Sequence, residues 1–295
     1  MAKEFILYRY DPSTALAAVF IFLFSNGSLA HGLFLWRHRT WYFIPFIIGG
    51  IFELIGYVGR FISSRQSPNW ATWPYVMQSL MILLAPIFFA ASISMVLGRI
   101  IRLVDANSYS PIRVNWLTKT FVAGDIISFF VQAAGGGMIS KAKDEDQAKW
   151  GERIIIAGLV IQLIFFGLFV VAAWVFHWRI IRAPTQKAEA VWGLLRQYML
   201  VLYAASFLII ARNAFRVIEY VQGSDGELMS KEMWIYIFDA TLVFLVMLLF
   251  VIWHPSRIIN RSAVASSNDV ESASGSHSMV TFWKRGTVQR ESSVR

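Results

Sequence analysis

Cysteine is absent from this chain of 295 residues, which excludes disulfides, thiolate catalysis, Cys-ligated zinc and iron–sulfur clusters. Charge is also scarce. Asp, Glu, Lys and Arg make up 15% of the residues, whereas a soluble domain carries about a quarter. No GxxxxGK[ST] stretch is present, so nothing points to intrinsic ATP coupling. There is no HExxH, and His31, His38, His177, His254 and His277 are scattered, which leaves a zinc hydrolase weakly supported. The last apolar run contains no lysine, which argues against a retinal Schiff base. No catalytic constellation, metal or cofactor is expected.

What the chain has is oil: 57% of its residues are hydrophobic. Apolar runs of about 20 residues recur, the length that crosses ~30 Å of hydrocarbon. Seven spans are predicted, at 14–36, 42–62, 73–97, 119–140, 154–178, 196–218 and 232–253. Each should be a helix, because a lipid-exposed backbone must satisfy its own hydrogen bonds. The expected fold class is therefore all-α, a polytopic bundle of seven transmembrane helices. The first residues lack the pattern of a removable signal peptide, so the first span is expected to act as its own anchor. With the N-terminus outside, the inner loops and tail carry 16 Lys/Arg and the outer side 11. That bias favours an extracellular N-terminus and a cytoplasmic C-terminus. A net charge of +9 distributed in this way suits a membrane surface rather than nucleic acid.

Three segments are expected: an extracellular N-terminus at 1–13, the seven-span region at 14–260, and a cytoplasmic tail at 261–295. The tail is Ser-rich and poor in large apolar residues, so disorder is expected there. Its end mixes Phe282 and Trp283 with basic residues, which suits an anionic leaflet, cytoplasmic regulators or phosphorylation; an inert solvated tail fits as well.

Within the spans, polar residues recur at helical spacing. Glu53, Tyr57 and Arg60 fall at i, i+4, i+7 on one face, as do Arg212, Arg216 and Glu219, and again Glu232, Tyr236 and Asp239. Asp125, Ser128, Gln132 and Gly135 form another stripe, and Tyr75, Gln78 and Gln162 add to the set. A charge at mid-membrane costs ~2.5–3.5 kcal/mol on insertion scales, so these groups should face the bundle or a wet cavity. The candidate substrate-binding residues are Glu53, Tyr57, Arg60, Gln78, Asp125, Gln132, Gln162, Arg212, Arg216, Glu219 and Asp239, with most of the stripes expected to converge on one cavity. Arg60 is expected to pair with Glu219, and Glu53 to exchange protons. Snorkelling fits the three arginines as well. Helix-to-helix glue fits the glutamines. Gly135–Gly137 should allow close helix approach or break the fourth span, and Pro86 should kink the third.

The residues carry a resemblance as well. "YDPS" at 10–13, "ELIGYVGR" at 53–60, "YVMQSLMILLAPIFFAA" at 75–91 and "GRII" at 98–101 are followed by "DIISFFVQAAGGG" at 125–137 and "GLVIQ" at 158–162. "RNAFRVIE" at 212–219, "FDA" at 238–240 and "HP" at 254–255 complete the series. In order and spacing this resembles the fungal lipid-translocating exporter family, the RTA-like proteins. The resemblance implies a membrane protein, commonly of the plasma membrane, that exports or translocates lipids such as sphingoid bases or phospholipids and confers resistance to toxic amphiphiles. One branch implies haem or porphyrin traffic, and some members imply a regulator of lipid asymmetry. Ser94 departs from the aromatic residue expected there, which bears on substrate choice. A seven-helix receptor or stress sensor remains the rival reading, and an intramembrane enzyme comes last.

Overall fold

The computed structural model describes residues 10–67, 69–142, 144–222 and 231–256. All seven predicted spans are helices long and apolar enough to cross a membrane. They are α1 (Thr14–His38), α2 (Ile44–Ser64), α3 (Thr72–Leu103), α4 (Val114–Lys141), α5 (Glu145–Arg182), α7 (Trp192–Gln222) and α8 (Glu232–Ile252), with a short α6 (Gln186–Ala190) before α7. Among the described residues there is no strand. The expected tail, 261–295, lies outside the described residues, as do residues 1–9.

Local chemistry sets several helix ends. Ser13 is extended, and its hydroxyl accepts the Leu16 N–H at 3.3 Å, an N-cap for α1. α1 stops at Arg39, whose backbone is left-handed with φ 51°. Pro45 stands in the first turn of α2, where its missing N–H costs nothing. α8 is not a uniform α-helix: Tyr236–Thr241 forms a π-helical segment, in which the Thr241 hydroxyl donates to the Tyr236 carbonyl at 2.7 Å.

Successive helices pack as neighbours, and α8 closes the ring against both α7 and α1. α3 lies at the centre, with 78% of its apolar window buried, and it also meets α7 across the ring. Glycine permits the closest approaches. A Cβ on Gly56 of α2 would lie 2.5 Å from Ile82 Cγ1 of α3. A Cβ on Gly135 of α4 would lie 2.7 Å from the Gly151 carbonyl oxygen of α5. The expected close approach therefore occurs at Gly135, and α4 runs unbroken through it; a Cβ on Gly137 would meet nothing within 4 Å.

The surface is apolar where lipid would lie. Phe22 is 67% exposed and Phe207 70%, whereas Glu53, Arg60, Asp125, Arg212, Arg216, Glu219 and Asp239 are buried. Exposed tryptophans gather toward the helix ends, Trp36, Trp41, Trp116 and Trp178 at one and Trp73 and Trp150 at the other. This pairing of an oily belt with interfacial aromatics belongs to a bilayer-spanning bundle. The chain is an integral, multi-pass membrane protein.

Candidate functional site

The centre of the site is an arginine that needs three acceptors. Arg212 of α7 is completely buried, and its Nε donates to Asp239 of α8. Its Nη2 donates to the Ile82 carbonyl of α3 at 2.6 Å, and Nη1 reaches Asn213 Oδ1 at 3.4 Å. The Ile82 carbonyl is available for a physical reason. In an α-helix it would accept from residue 86, and residue 86 is proline, with no N–H to offer. Pro86 thus supplies the acceptor that ties α3 to α7, a role that its reading as a kink did not capture. Asp239 is carried by the π-helical segment of α8, a type of irregularity common at functional sites.

One turn along α7, Arg216 pairs with Glu219 at 2.7 Å and lies 3.7 Å from Asp239 Oδ2. Glu53 of α2 faces the same group, with Asp239, Arg212 and Arg216 as the charges acting on it. It is fully buried, and neither carboxyl oxygen makes a hydrogen bond within the described residues. Tyr57 stands one turn away, its ring stacked between Phe20 and Phe24 of α1 at 5.4 and 5.5 Å. Its hydroxyl is unpartnered too, as are Gln78 Oε1, Asn213 Nδ2 and Arg216 Nε. Asp239 Oδ2 likewise accepts no hydrogen bond. Four helices therefore present donors and acceptors that the protein itself does not satisfy. Buried polar groups are normally paired, so a concentration of exceptions on one face points to a ligand or water.

The end of this face that adjoins the N-terminal segment is closed by a second ionic group. Arg60 donates from Nη2 to Glu232 at 2.8 Å and to the Tyr10 hydroxyl at 2.9 Å, and from Nε to the Tyr236 hydroxyl at 3.0 Å. Glu232 also accepts the Ser13 N–H on both oxygens, each at 2.9 Å. Ser67 donates to Asp11 at 2.7 Å, and the Thr14 and Ser64 hydroxyls meet at 2.9 Å. Residues 10–14 thus form a strap across the ends of α2 and α8. Burial pushes the Tyr10 phenol above its ordinary value of 10.0, while the Arg60 guanidinium works the other way.

The expected Arg60–Glu219 pair is corrected here. Arg60 is bound to Glu232, because α8 begins beside the end of α2, and Glu219 is taken by Arg216 on its own helix. Snorkelling does not describe these arginines, since Arg60, Arg212 and Arg216 are all buried. Tyr10, Ser13, Glu232, Tyr236 and Asn213 were not among the candidates. Glu232 and Tyr236 had a signal in their shared stripe with Asp239. Tyr10 and Ser13 had one only in "YDPS".

Three candidates stand apart from this face. Gln132 of α4 donates to Ser128 at 2.6 Å and to Gln162 Oε1 of α5 at 3.1 Å, and Ser128 donates to the Gly158 carbonyl at 2.7 Å. Asp125 is buried one turn before Ser128. A small apolar cluster of Leu83, Ile155 and Leu159, with Val217 and Tyr220 against it, lies on α3, α5 and α7 between the two polar groups. Two polar centres therefore exist instead of one convergent cavity. Ser94 is buried and donates to the Ala91 carbonyl, within its own helix. At the far end of the bundle His31 contacts the Met247 carbonyl and lies 6.3 Å, ring to ring, from His254. Among the described residues no group of three or more His, Asp or Glu could hold a metal.

Residues 46–262 match the family described as RTA1 like protein. The chain belongs to the RTA1-like family. It is 34% identical over 284 residues to Protoporphyrin uptake protein 1 of Saccharomyces cerevisiae, covering 83% of this chain and 91% of that protein. It is 33% identical over 281 residues to Protein RTA1 of the same yeast, covering 86% and 87%. A more distant relative, 24% identical over 260 residues with 76% and 67% covered, is the yeast Sphingoid long-chain base transporter RSB1. No solved structure matches significantly. The match includes every polar residue of the central face, from Glu53 to Asp239.

Proposed function

We propose that this protein moves an amphiphilic lipid between leaflets, its headgroup passing along the face built by α2, α3, α7 and α8 while its tail stays in the bilayer. The observation that carries this reading is Glu53: a carboxyl group at the middle of a span, fully buried, with no hydrogen bond to either oxygen. Along the face the unpartnered Tyr57, Asn213 and Arg216 donors and the Gln78 and Asp239 acceptors suit a headgroup carrying both a cationic amine and hydroxyl or phosphate oxygens. Sphingoid bases and phospholipids have that chemistry. The relatives named as lipid transporters support the reading. The N-terminus lies outside and the C-terminus inside, so the strap over Arg60 faces the exterior of the plasma membrane, and export confers resistance to toxic amphiphiles. The reading is one of transport, in line with the relatives named as transporters. Cytoplasmic regulators would act on the tail.

A porphyrin is the second candidate substrate, favoured by the 34% identity to a protein named for protoporphyrin uptake. Its two propionates would engage the arginines in place of the acids. Purified protein in liposomes separates these readings. Fluorescent sphingoid base and phospholipid should change leaflet faster than in empty liposomes, and protoporphyrin should not. Preferred movement of protoporphyrin would replace the lipid reading by the porphyrin one, and movement of neither would favour a receptor.

A further inference from the structure

We infer that Glu53 exchanges a proton for the cationic group of the transported amphiphile, so that the protein is an electroneutral proton–cation exchanger. The inference deepens the lipid-translocation reading and rests on it. It begins from a charge count. Along the central face stand two guanidinium groups, Arg212 and Arg216, and three carboxyl groups, Glu53, Glu219 and Asp239. Asp239 is bound by Arg212 and approached by Arg216; Glu219 is bound by Arg216. Each guanidinium is therefore committed, and Glu53 is the carboxyl left without one.

Among the described residues no other element offers Glu53 a charge. Its own helix presents Tyr57, and Arg60 further along is committed to Glu232. α3 contributes the Ile82 carbonyl, already used by Arg212. α7 adds the neutral Asn213 beside the two arginines and Glu219, and α8 adds the neutral Tyr236. α1 adds the rings of Phe20 and Phe24 behind Tyr57. An isolated carboxylate in such surroundings carries a large desolvation cost unless a positive charge joins it. With both guanidiniums committed elsewhere, Glu53 is balanced by a proton on it or by a monovalent cation against it.

The geometry favours an alkylammonium as that cation. Glu53 Oε1 and Oε2 and Asp239 Oδ2 are three acceptors without donors, from two helices, and an ammonium group brings three N–H donors. In the exchange the O–H bond of the Glu53 acid breaks and its proton leaves to the aqueous side from which the amphiphile arrives. The carboxylate then accepts from the ammonium. When the ammonium departs on the other side, Glu53 takes a proton from that side. One proton crosses against one monovalent cation, and no net charge moves.

Reconstituted protein tests this with a fluorescent alkylguanidinium amphiphile, which keeps N–H donors for the carboxylate yet stays charged across the working pH range. A pH difference across the liposome should drive its accumulation on the acidic side, and a potassium–valinomycin potential should not. Glu53→Gln should abolish the response to the pH difference. Movement that is unaffected by the pH difference, or that follows the potential or a sodium gradient, overturns the exchange while leaving lipid translocation standing. Absence of any lipid movement sinks the translocation reading itself, and the exchange is then decided by binding. A long-chain primary amine is fully protonated below about pH 9. Its binding to protein in nanodiscs should release up to one proton per amine, and none in Glu53→Gln. No release from the wild type at any pH between about 5 and about 9 overturns the inference.

Discussion

Removing the Arg212 guanidinium separates structural from functional use of the central face. Arg212→Ala strips Asp239 of its hydrogen-bonded countercharge and leaves the Ile82 carbonyl, which Pro86 cannot serve, without a donor. Two magnitudes compete. An ordinary interhelical polar contact in a membrane is worth only ~0.6 kcal/mol on average. Breaking a buried ion pair costs ~3–5 kcal/mol, because the surviving charge is uncompensated. Arg212 and Asp239 are 0% and 1% exposed, so the larger figure applies. Arg216, 3.7 Å from Asp239, offsets part of it, which places the expectation near the lower limit. Against a total stability of about 5–15 kcal/mol, such a loss lowers abundance sharply. Replacing both partners, Arg212→Met with Asp239→Leu, removes the charges together; such exchanges are often neutral or stabilising. The double variant should therefore recover monodisperse protein on fluorescence-detected size exclusion, yet remain inactive in the liposome assay. Unchanged thermal stability of Arg212→Ala would show that the pair is not desolvated in this way.

Arg60→Ala should lower abundance by the same mechanism, and Glu232→Gln, not a change at Glu219, should partly rescue it on size exclusion; rescue through Glu219 instead would refute the assignment. Pro86→Ala gives the Ile82 carbonyl a helical donor, so expression should hold or rise while transport slows, and full transport would deny Pro86 its role. Gly56→Val drives a side chain into Ile82 and should cost about 1–3 kcal/mol or more, read as a lower unfolding temperature. Tyr10 gives a pH prediction: its folded value is raised, so the strap is fully held below the free phenol's value of about 10 and loosens as pH rises through the folded one. A solvent-sensitive dye on Asp11→Cys should report that loosening, and adding Tyr10→Phe, which cannot ionise, should abolish it.

The helices were legible because bilayer thickness turns composition into length, and all seven spans appear where apolar runs predicted them. Helical spacing also placed Glu53, Tyr57, Arg212, Arg216 and Asp239 on inward faces, since lipid leaves a buried charge nowhere else to go. Partner choice was not legible. Whether Arg60 meets Glu219 or Glu232 depends on how α2, α7 and α8 are rotated about one another, and spacing within a single helix does not encode that. The same limit merged two polar centres into one, because the Leu83–Ile155–Leu159 contact that divides them joins residues far apart in sequence. Pro86 was visible but its consequence was not: the acceptor it frees matters only once Arg212 of α7 is known to reach it.

The absence of cysteine allows the central claim to be read directly. A single cysteine at Asn213 stands beside Arg212 and one at Gln78 beside Gly59 of α2, whereas one at Gln162 lies in the α4–α5 cluster beyond the apolar divide. Each variant in nanodiscs would be treated with an amphiphile bearing a thiol-reactive cationic headgroup, and labelling followed by mass spectrometry. If the headgroup travels on the α2–α3–α7–α8 face, Gln78→Cys and Asn213→Cys label rapidly, unreactive amphiphile protects them, and Gln162→Cys labels slowly without protection. Rapid, protectable labelling at Gln162→Cys, with Gln78→Cys and Asn213→Cys inert, would contradict the account and move the path to the α4–α5 cluster.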